Sequence, residues 1–505
     1  AKKILILRNR TKVVGAWYGH KEGGREKEIH PQPQKCMEEK TMAAKEQASA
    51  KQSLTEKIST KEKVSYGCGD LASNLILVLT STFVAYFYTD ALGLNAAIIG
   101  SIMMFSRFAD GVTDMLMGYV MDRVKTKYGK ARPWLLWLAI PIAVACVLVF
   151  LVPNTGTVGK YVYVTITYNL VTTFLYTMIN IPYGALTSLM SRDQGQRTVI
   201  NVFRMFMAQV GSLIINASTL PLVNKMGGSS NQKSWIIVSA IYAVIAAILF
   251  LVCFKNTKER VTVSSEQKED VNFVQSLKLI FKNSQWLLLC GIWITMCLGM
   301  GASGAVGTYY AKYILMNENM AGFISSVSII PVLVLMPFCV PLSLKYGKRN
   351  VALVGTFFSL AGQLLMVINP TNATWLLVCS LIKGVGSATL TGTIFAMVAD
   401  TIEYGEWKNG TRVEGMLYST TTFGAKVGSG FASAVALWVI SAAGYDGLAA
   451  TQTASALSAI KALYLWVPIP FYAIMILFYV FYKLDKIYPQ VMEELKAREA
   501  AKEKH

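Results

Sequence analysis

Twelve apolar runs, each near twenty residues long, recur between positions 67 and 482 of this chain. They fall at about 67–89, 96–120, 133–152, 161–183, 198–222, 234–254, 285–309, 320–344, 350–369, 374–399, 415–444 and 460–482. Runs of that length match the ~30 Å hydrocarbon core of a bilayer, where a helix alone can satisfy its own backbone. The expected fold is therefore an all-α membrane protein with twelve transmembrane helices. Only 15% of the residues are charged, against about 25% in an ordinary soluble chain, so the polar shell of a large globular protein is missing.

The formal net charge of +19 would suit a polyanion if it were spread over one surface, but it is not. Arg123, Lys125, Lys127, Lys130 and Arg132 follow the second run, Arg192 and Arg197 the fourth. Lys255, Lys258, Arg260 and Lys268 follow the sixth, and Lys345, Lys348 and Arg349 the eighth. The intervening loops carry few or none. Alternating basic loops mark the cytoplasmic side of a membrane protein, so both termini are expected in the cytoplasm, the protein in the cell membrane, and no nucleic acid as partner. Residues 1–63 read as a disordered cytoplasmic tail in which Met42 is a credible start. The bundles are expected at 64–254 and 285–482, joined by a cytoplasmic loop at 255–284, with a tail from 483 to 505.

A short repeat supports two related halves. Lys127-Tyr128-Gly129-Lys130 follows the second run, and Lys345-Tyr346-Gly347-Lys348 follows the eighth, its equivalent in the second half. Two pseudo-symmetric six-helix bundles place a substrate site at the midplane between them.

The second run holds Arg107, Asp110 and Asp114. Their i, i+3, i+7 spacing puts them on one helical stripe. A charge at the centre of a membrane helix costs at least ~2.5–3.5 kcal/mol, so such a stripe faces protein or water and carries function. Carboxylate oxygens suit a small cation, and two neighbouring carboxylates repel, which favours taking up a proton. Sodium and proton coupling both fit. The structural alternative is an ion pair with Arg107 that fastens helices. None of the eight cysteines forms a C-x-x-C, and all three histidines lie in the tails, so neither zinc nor an imidazole relay is indicated.

Asp122-Arg123-Val124-Lys125-Thr126-Lys127-Tyr128-Gly129-Lys130-Ala131-Arg132-Pro133-Trp134 resembles the loop between helices two and three of the major facilitator superfamily. Ser65–Asp70, Ile179–Leu186 and Ala399–Trp407 continuing to Gly415 resemble its glycoside–pentoside–hexuronide:cation symporters. The resemblance implies the major facilitator fold and symport of such a sugar with sodium or a proton, by alternating access and without a further cofactor. It places the cation pair on Asp110 and Asp114 and adds the Thr177 hydroxyl. It places sugar contacts on Asn74, Tyr176 and Asn180, with Arg204 near the pocket; for the asparagines an interhelical hydrogen bond is the plainer role. Asn74, Asn180, Gly184 and Thr391 replace two aspartates and two tryptophans of the melibiose carrier, which leaves galactoside specificity in doubt.

Lys426 matches the family's helix-eleven lysine, whereas Lys383 has no clear counterpart. With Arg204 these cations suit a hexuronide carboxylate; alternatively Lys426 pairs with Asp110 or Asp114 across the halves, and Lys383 snorkels or faces a wet cavity. The resemblance also suggests a gate of Arg123, Asp400, Arg412 and Glu414 at the cytoplasmic ends. Asp70 is expected to cap its helix or sit at the interface. Partners are thus a small glycoside, a cation and the bilayer, and a monomer is expected. Two other functions fit parts of the pattern, a sugar sensor that does not transport and an intramembrane prenyltransferase. The latter is expected to need a second acidic cluster, and runs seven to twelve have no central Asp or Glu.

Overall fold

The computed structural model describes residues 58–124, 126–191, 194–260, 278–410, 414–449 and 451–503. Twelve long helices dominate: α1 (Thr60–Ala91), α2 (Ala96–Arg123), α3 (Arg132–Phe150), α4 (Thr157–Met190), α5 (Gln194–Lys225), α6 (Gln232–Asn256), α7 (Ser284–Tyr313), α8 (Asn319–Tyr346), α9 (Lys348–Ile368), α10 (Ala373–Asn409), α11 (Glu414–Ala442) and α12 (Ala454–Phe481). Eleven are long and apolar enough to cross a membrane. The remaining one, α2, has 28 residues and so rises about 42 Å, but its charged stripe lowers its mean hydropathy. Phe105, Ile140 and Val158 stand more than 60% exposed on the outside of the bundle, as lipid-facing side chains do.

The Lys-Tyr-Gly-Lys repeat has a structural cause. Gly129 and Gly347 both have positive φ (107° and 86°) in the turns before α3 and α9. A Cβ on Gly129 would lie 2.3 Å from the Glu259 carboxyl carbon, and one on Gly347 would lie 2.9 Å from Asp485 Oδ2. Those carboxylates stand just beyond the last helix of each bundle and cap the next helix N-terminus. Glu259 accepts from the amides of Lys130, Ala131 and Arg132, each at 2.9 Å, and Asp485 from the amide of Arg349 at 2.7 Å. Arg132 donates to the Phe254 carbonyl at 2.7 Å and Arg349 to the Tyr479 carbonyl at 2.6 Å. Each bundle is thus closed by one device, and the glycines leave room for the carboxylate.

Several expected boundaries shift. Ser59 caps α1, accepting from the Glu62 amide at 3.2 Å. Glu62 pairs with Arg260 at 2.8 Å, so the last residues of the expected tail and the first of the expected loop are part of the fold. The expected carboxyl tail contains a docked helix, α13 (Leu484–Glu503). Leu484 and Val491 are buried, with Ile487 and Leu495 partly so, against the core of the second half. Trp407 Nε1 donates to Glu494 at 2.7 Å, and Arg498 donates to the Trp407 carbonyl at 2.8 Å. Residues 1–57, which contain Met42, lie outside the described residues.

The halves meet along α2–α11 and α5–α8. Small residues bring the backbones together, as is usual between membrane helices. A Cβ on Gly322 of α8 would come within 1.9 Å of the Asn216 carbonyl of α5. Among the described residues four π-helical turns interrupt the ladder: Leu79–Phe83 and Phe87–Ala91 in α1, Leu170–Leu175 in α4, and Ala462–Trp466 in α12.

Candidate functional site

The stripe of α2 lies at the junction of the halves. Arg107 NH1 reaches Asp110 Oδ2 at 3.3 Å. The other oxygen, Asp110 Oδ1, is buried and meets no partner in hydrogen-bonding geometry among the described residues, with the Thr173 hydroxyl beside the carboxyl. Asp114, one turn further on, accepts from the Thr177 hydroxyl of α4 at 2.9 Å and pairs with the Lys426 ammonium of α11 in the other half. Its side chain is 25% exposed and that of Lys426 is 32% exposed, so this pair is not sealed in dry packing. Arg107 enters the interface beside Gly430 of α11, where a Cβ would lie 2.3 Å from Arg107 Cγ.

Of the two roles open to Lys426, the structure has it paired with Asp114 across the halves. The α2 stripe is therefore both a fastening and an incompletely satisfied acid site. A buried carboxylate oxygen without a donor is costly, and it can accept a proton or coordinate a small cation together with its neighbours.

The α1, α4 and α5 side chains form a second cluster beside this one. Arg204 Nε meets Asp70 Oδ2 at 3.0 Å, and its guanidinium lies 5.0 Å from the Tyr183 ring centre. Tyr183 is fixed in turn by stacking on Tyr66 and by donating to the Tyr66 carbonyl at 2.7 Å. The expected capping role of Asp70 is corrected here: it lies in the interior of α1, 7% exposed, as the counter-ion of Arg204. A carboxylate there needs a cation partner, and α5 supplies it.

Tyr176, half-buried on α4, immediately precedes Thr177, the donor to Asp114. Asn180 presents a buried Oδ1 with no partner. A Cβ on Gly184 would find only Arg204 NH1, at 3.9 Å, so that position leaves open space. Asn74 donates to the Asp70 carbonyl at 2.8 Å and accepts from Ser212 of α5 at 3.4 Å, which is the interhelical role.

Two adjoining cavities lie between the halves, the first of them beside Arg107. One, of about 250 Å³, lies between Ser81, Met103, Arg107, Gly301 and Ser433. The second, of about 320 Å³, runs into the second half past Asn216, Ser325, Ser380 and Tyr472 to Lys383. Thr82, Met300 and Gly304 border both. Lys383 thus faces a cavity, and it donates to Gln363 Oε1 at 2.6 Å.

At the bundle end opposite the basic loops, a group the sequence reading missed ties the halves. Asp90, 5% exposed, accepts from Lys312 at 2.7 Å, Tyr313 at 2.9 Å and Tyr445. Glu318 accepts from Tyr86 at 2.6 Å and Ser229 at 2.8 Å, and Trp438 Nε1 donates to the Ala97 carbonyl at 3.0 Å. Lys312 was the available signal, since it is a lysine in a loop region the charge rule leaves uncharged. At the basic end the two gate residues whose side chains are described, Arg123 and Asp400, are not paired with each other. Arg123 is exposed and lies 3.4 Å over the ring of Tyr119 in its own helix. Asp400 binds Lys348 of its own half at 2.6 Å. Arg412 and the Glu414 side chain lie outside the described residues.

Comparison with known proteins agrees with this architecture. Residues 65–486 match the family model described as MFS/sugar transport protein. The chain is 37% identical over 446 residues to the isoprimeverose transporter of Lactiplantibacillus pentosus, covering 87% of this chain and 92% of that protein. It is 32% identical over 424 residues to the inner membrane symporter YicJ of Escherichia coli (strain K12), covering 82% and 89%. Among solved structures, a bacterial homologue of the human lysosomal transporter Spinster, inward-facing and unoccupied, superposes with a TM-score of 0.61. That match has 11% identity over 85% of this chain and 97% of that one, and it bears on the fold alone. These matches give no support to an intramembrane enzyme. The chain belongs to the MFS/sugar transport protein family, as a multi-pass membrane transporter built from two six-helix bundles.

Proposed function

We propose that this protein couples the movement of a small glycoside to that of sodium or a proton, by alternating access of a midplane site. The observation that carries the proposal is the α2 stripe, where Asp110 keeps an unpartnered buried oxygen while Asp114 holds Lys426 of the opposite half. With no cation bound, Lys426 neutralises Asp114 and ties the halves at their centre. A cation arriving among Asp110, Asp114 and Thr177 replaces that ammonium, so ion loading and the bundle junction share one carboxylate. The sugar lies against Tyr176, Asn180 and Arg204, with Asn74 setting the spacing of α1 and α5. Ion and sugar then raise each other's affinity by the same factor, as linkage requires.

Loop charge puts the basic end and both termini in the cytoplasm. On that orientation the bonds gathered at Asp90 and Glu318 support a state closed to the outside. Arg123, Asp400, Arg412 and Glu414 are the groups available to close the cytoplasmic end in the alternate state. The pattern supports a monomeric carrier, since each bundle completes the site of the other within one chain.

The test is counterflow and uphill uptake by purified protein in proteoliposomes, under separate sodium and pH gradients. Isoprimeverose, methyl glycosides and xylosides form the panel. Accumulation driven by one of the two gradients is expected. Binding of a glycoside without any counterflow would instead identify a sensor.

A further inference from the structure

Asp70 stands one turn before Asn74 on α1, an acid inside an apolar helix and away from the α2 stripe. Its Oδ2 meets Arg204 Nε of α5 at 3.0 Å, and the side chains of Asp70 and Arg204 are 9% and 20% exposed. The pair is therefore held within the bundle without being sealed. Taking two charges out of water is costly, and replacing such a pair by apolar packing is often neutral or better for stability. Intramembrane ionisable residues of this kind mark a pathway or a ligand. Nε is only one of the guanidinium donors, so the N–H groups of NH1 and NH2 lie beyond the bond to Asp70.

The surroundings hold the arginine in one pose. Its guanidinium lies 5.0 Å from the Tyr183 ring centre. Tyr183 and Tyr66 stack with ring centres 4.6 Å apart. The Tyr183 hydroxyl donates to the Tyr66 carbonyl at 2.7 Å, and the Tyr66 hydroxyl to the Tyr183 carbonyl at 3.0 Å. This reciprocal clasp needs α1 and α4 close together, and Gly69 permits it, because a Cβ there would lie 2.5 Å from Tyr183 Cε2. On the other side, Arg204 NH1 borders the open space left by Gly184. Asn180, one turn earlier on the same face of α4, has a buried Oδ1 without a partner among the described residues. Donors of Arg204, the Asp70 carboxylate and an unpartnered amide oxygen thus lie within about a turn of one opening.

We infer that Asp70 is a sugar-binding and charge-selecting residue, which with Arg204 forms one net-neutral unit that exchanges hydrogen bonds with a sugar diol and turns away an anionic ring. The inference rests on the proposed function and adds a residue to its sugar site. A diol is matched by an acceptor and a donor side by side. Here a carboxylate oxygen accepts from one hydroxyl while a guanidinium N–H donates to its neighbour, and both contacts are charge-assisted. An arginine without a counter-ion is suited to a carboxylate ligand. Asp70 already fills that role, so an arriving carboxylate must displace it and meets a like charge beside the arginine. Selection by such a built-in repulsive group is a general route to specificity.

Methyl β-D-xyloside, methyl β-D-glucoside and methyl β-D-glucuronide share a pyranose ring and differ at one carbon, in hydrogen, hydroxymethyl and carboxylate. Their binding to the purified full chain is measured by calorimetry at one pH and salt concentration. The proteins are the wild type, Asp70→Asn, Asp70→Ala and the double variant Asp70→Asn with Arg204→Gln. The wild type is expected to bind a neutral glycoside about tenfold more tightly than the glucuronide. Asp70→Asn shifts that ratio about tenfold toward the glucuronide, through a gain of glucuronide affinity that misfolding cannot produce. Asp70→Ala carries the same expectation, so an unstable Asn variant leaves the test intact, and adding Arg204→Gln removes the gain. A wild type that prefers the glucuronide, or that binds neither neutral glycoside, overturns the inference. So does a ratio unchanged in a folded Asp70 variant, or a gain that survives Arg204→Gln. Counterflow of the neutral glycosides by the wild type reports separately on transport: counterflow with an unchanged ratio rejects the role of Asp70 alone, and the shifted ratio without counterflow rejects the carrier alone.

Discussion

Neutralising Asp90 should release the outer end of the bundle. Asp90 gathers Lys312, Tyr313, Tyr445 and Thr89 around one carboxylate whose side chain is 2% exposed. Hydrogen bonds to a charged group are worth about 1.5–3 kcal/mol each. Asn keeps an oxygen acceptor but loses the charge, and it leaves Lys312 without its anion. The closed state should therefore lose about 3 kcal/mol relative to a state in which water reaches these groups, a shift of roughly 150-fold in the ratio of the two. A reporter cysteine at Ser433, on the wall of the cavity beside Arg107, reads that ratio in a chain whose native cysteines are replaced. A membrane-impermeant maleimide added from outside should label the Asp90→Asn carrier more than about tenfold faster than its parent. Lys312→Met in the same background should recover part of the difference, since it removes the stranded ammonium. Unchanged labelling in a folded Asp90→Asn protein would refute the reading of this cluster as the outer lock.

Gly129→Ala should destabilise the first half by about 2–5 kcal/mol, from strained backbone and expulsion of the Glu259 cap; Gly118→Ala, in open space, should not lower the melting temperature. Gly430→Val should expel the Arg107 side chain from the α2–α11 junction and abolish coupled uptake, and retention of wild-type uptake would count against that packing. The Trp407 hydrogen bond draws the Glu494 carboxyl below its ordinary range. A depressed acid contributes above its unfolded value of about 4.3 and loses that contribution as pH falls through the lower folded value. Docking of α13 should accordingly be steady at neutral pH and weaken only below about pH 4.3, with Trp407 fluorescence as the readout; Glu494→Gln should flatten that response.

The elements most legible in the sequence are those written in local periodicity. Twelve apolar runs became twelve long helices, and the i, i+3, i+7 stripe of α2 landed on the junction of the halves. The Lys-Tyr-Gly-Lys repeat marked a real equivalence, although the carboxylates it accommodates, Glu259 and Asp485, lie about 130 residues away and share no local signal with it. The Asp70–Arg204 pair spans 134 positions, so Asp70 read locally as a helix-end residue. The π turns have no compositional signature, and the Gln363–Lys383 hydrogen bond between α9 and α10 was equally invisible. For α13 a signal existed and was outweighed: Leu484, Ile487, Val491 and Leu495 form an apolar stripe inside a segment dominated by charge.

The central claim is that Asp110 and Asp114 form an ion-loading site energetically shared with the sugar. Calorimetry on the purified carrier, titrating the best counterflow glycoside with and without the coupling cation and then the cation with and without that glycoside, tests it most directly. The account predicts equal enhancement in both directions, about 5–150-fold, and none in Asp114→Asn. Sugar affinity indifferent to the cation, or full enhancement surviving in Asp114→Asn, would contradict it.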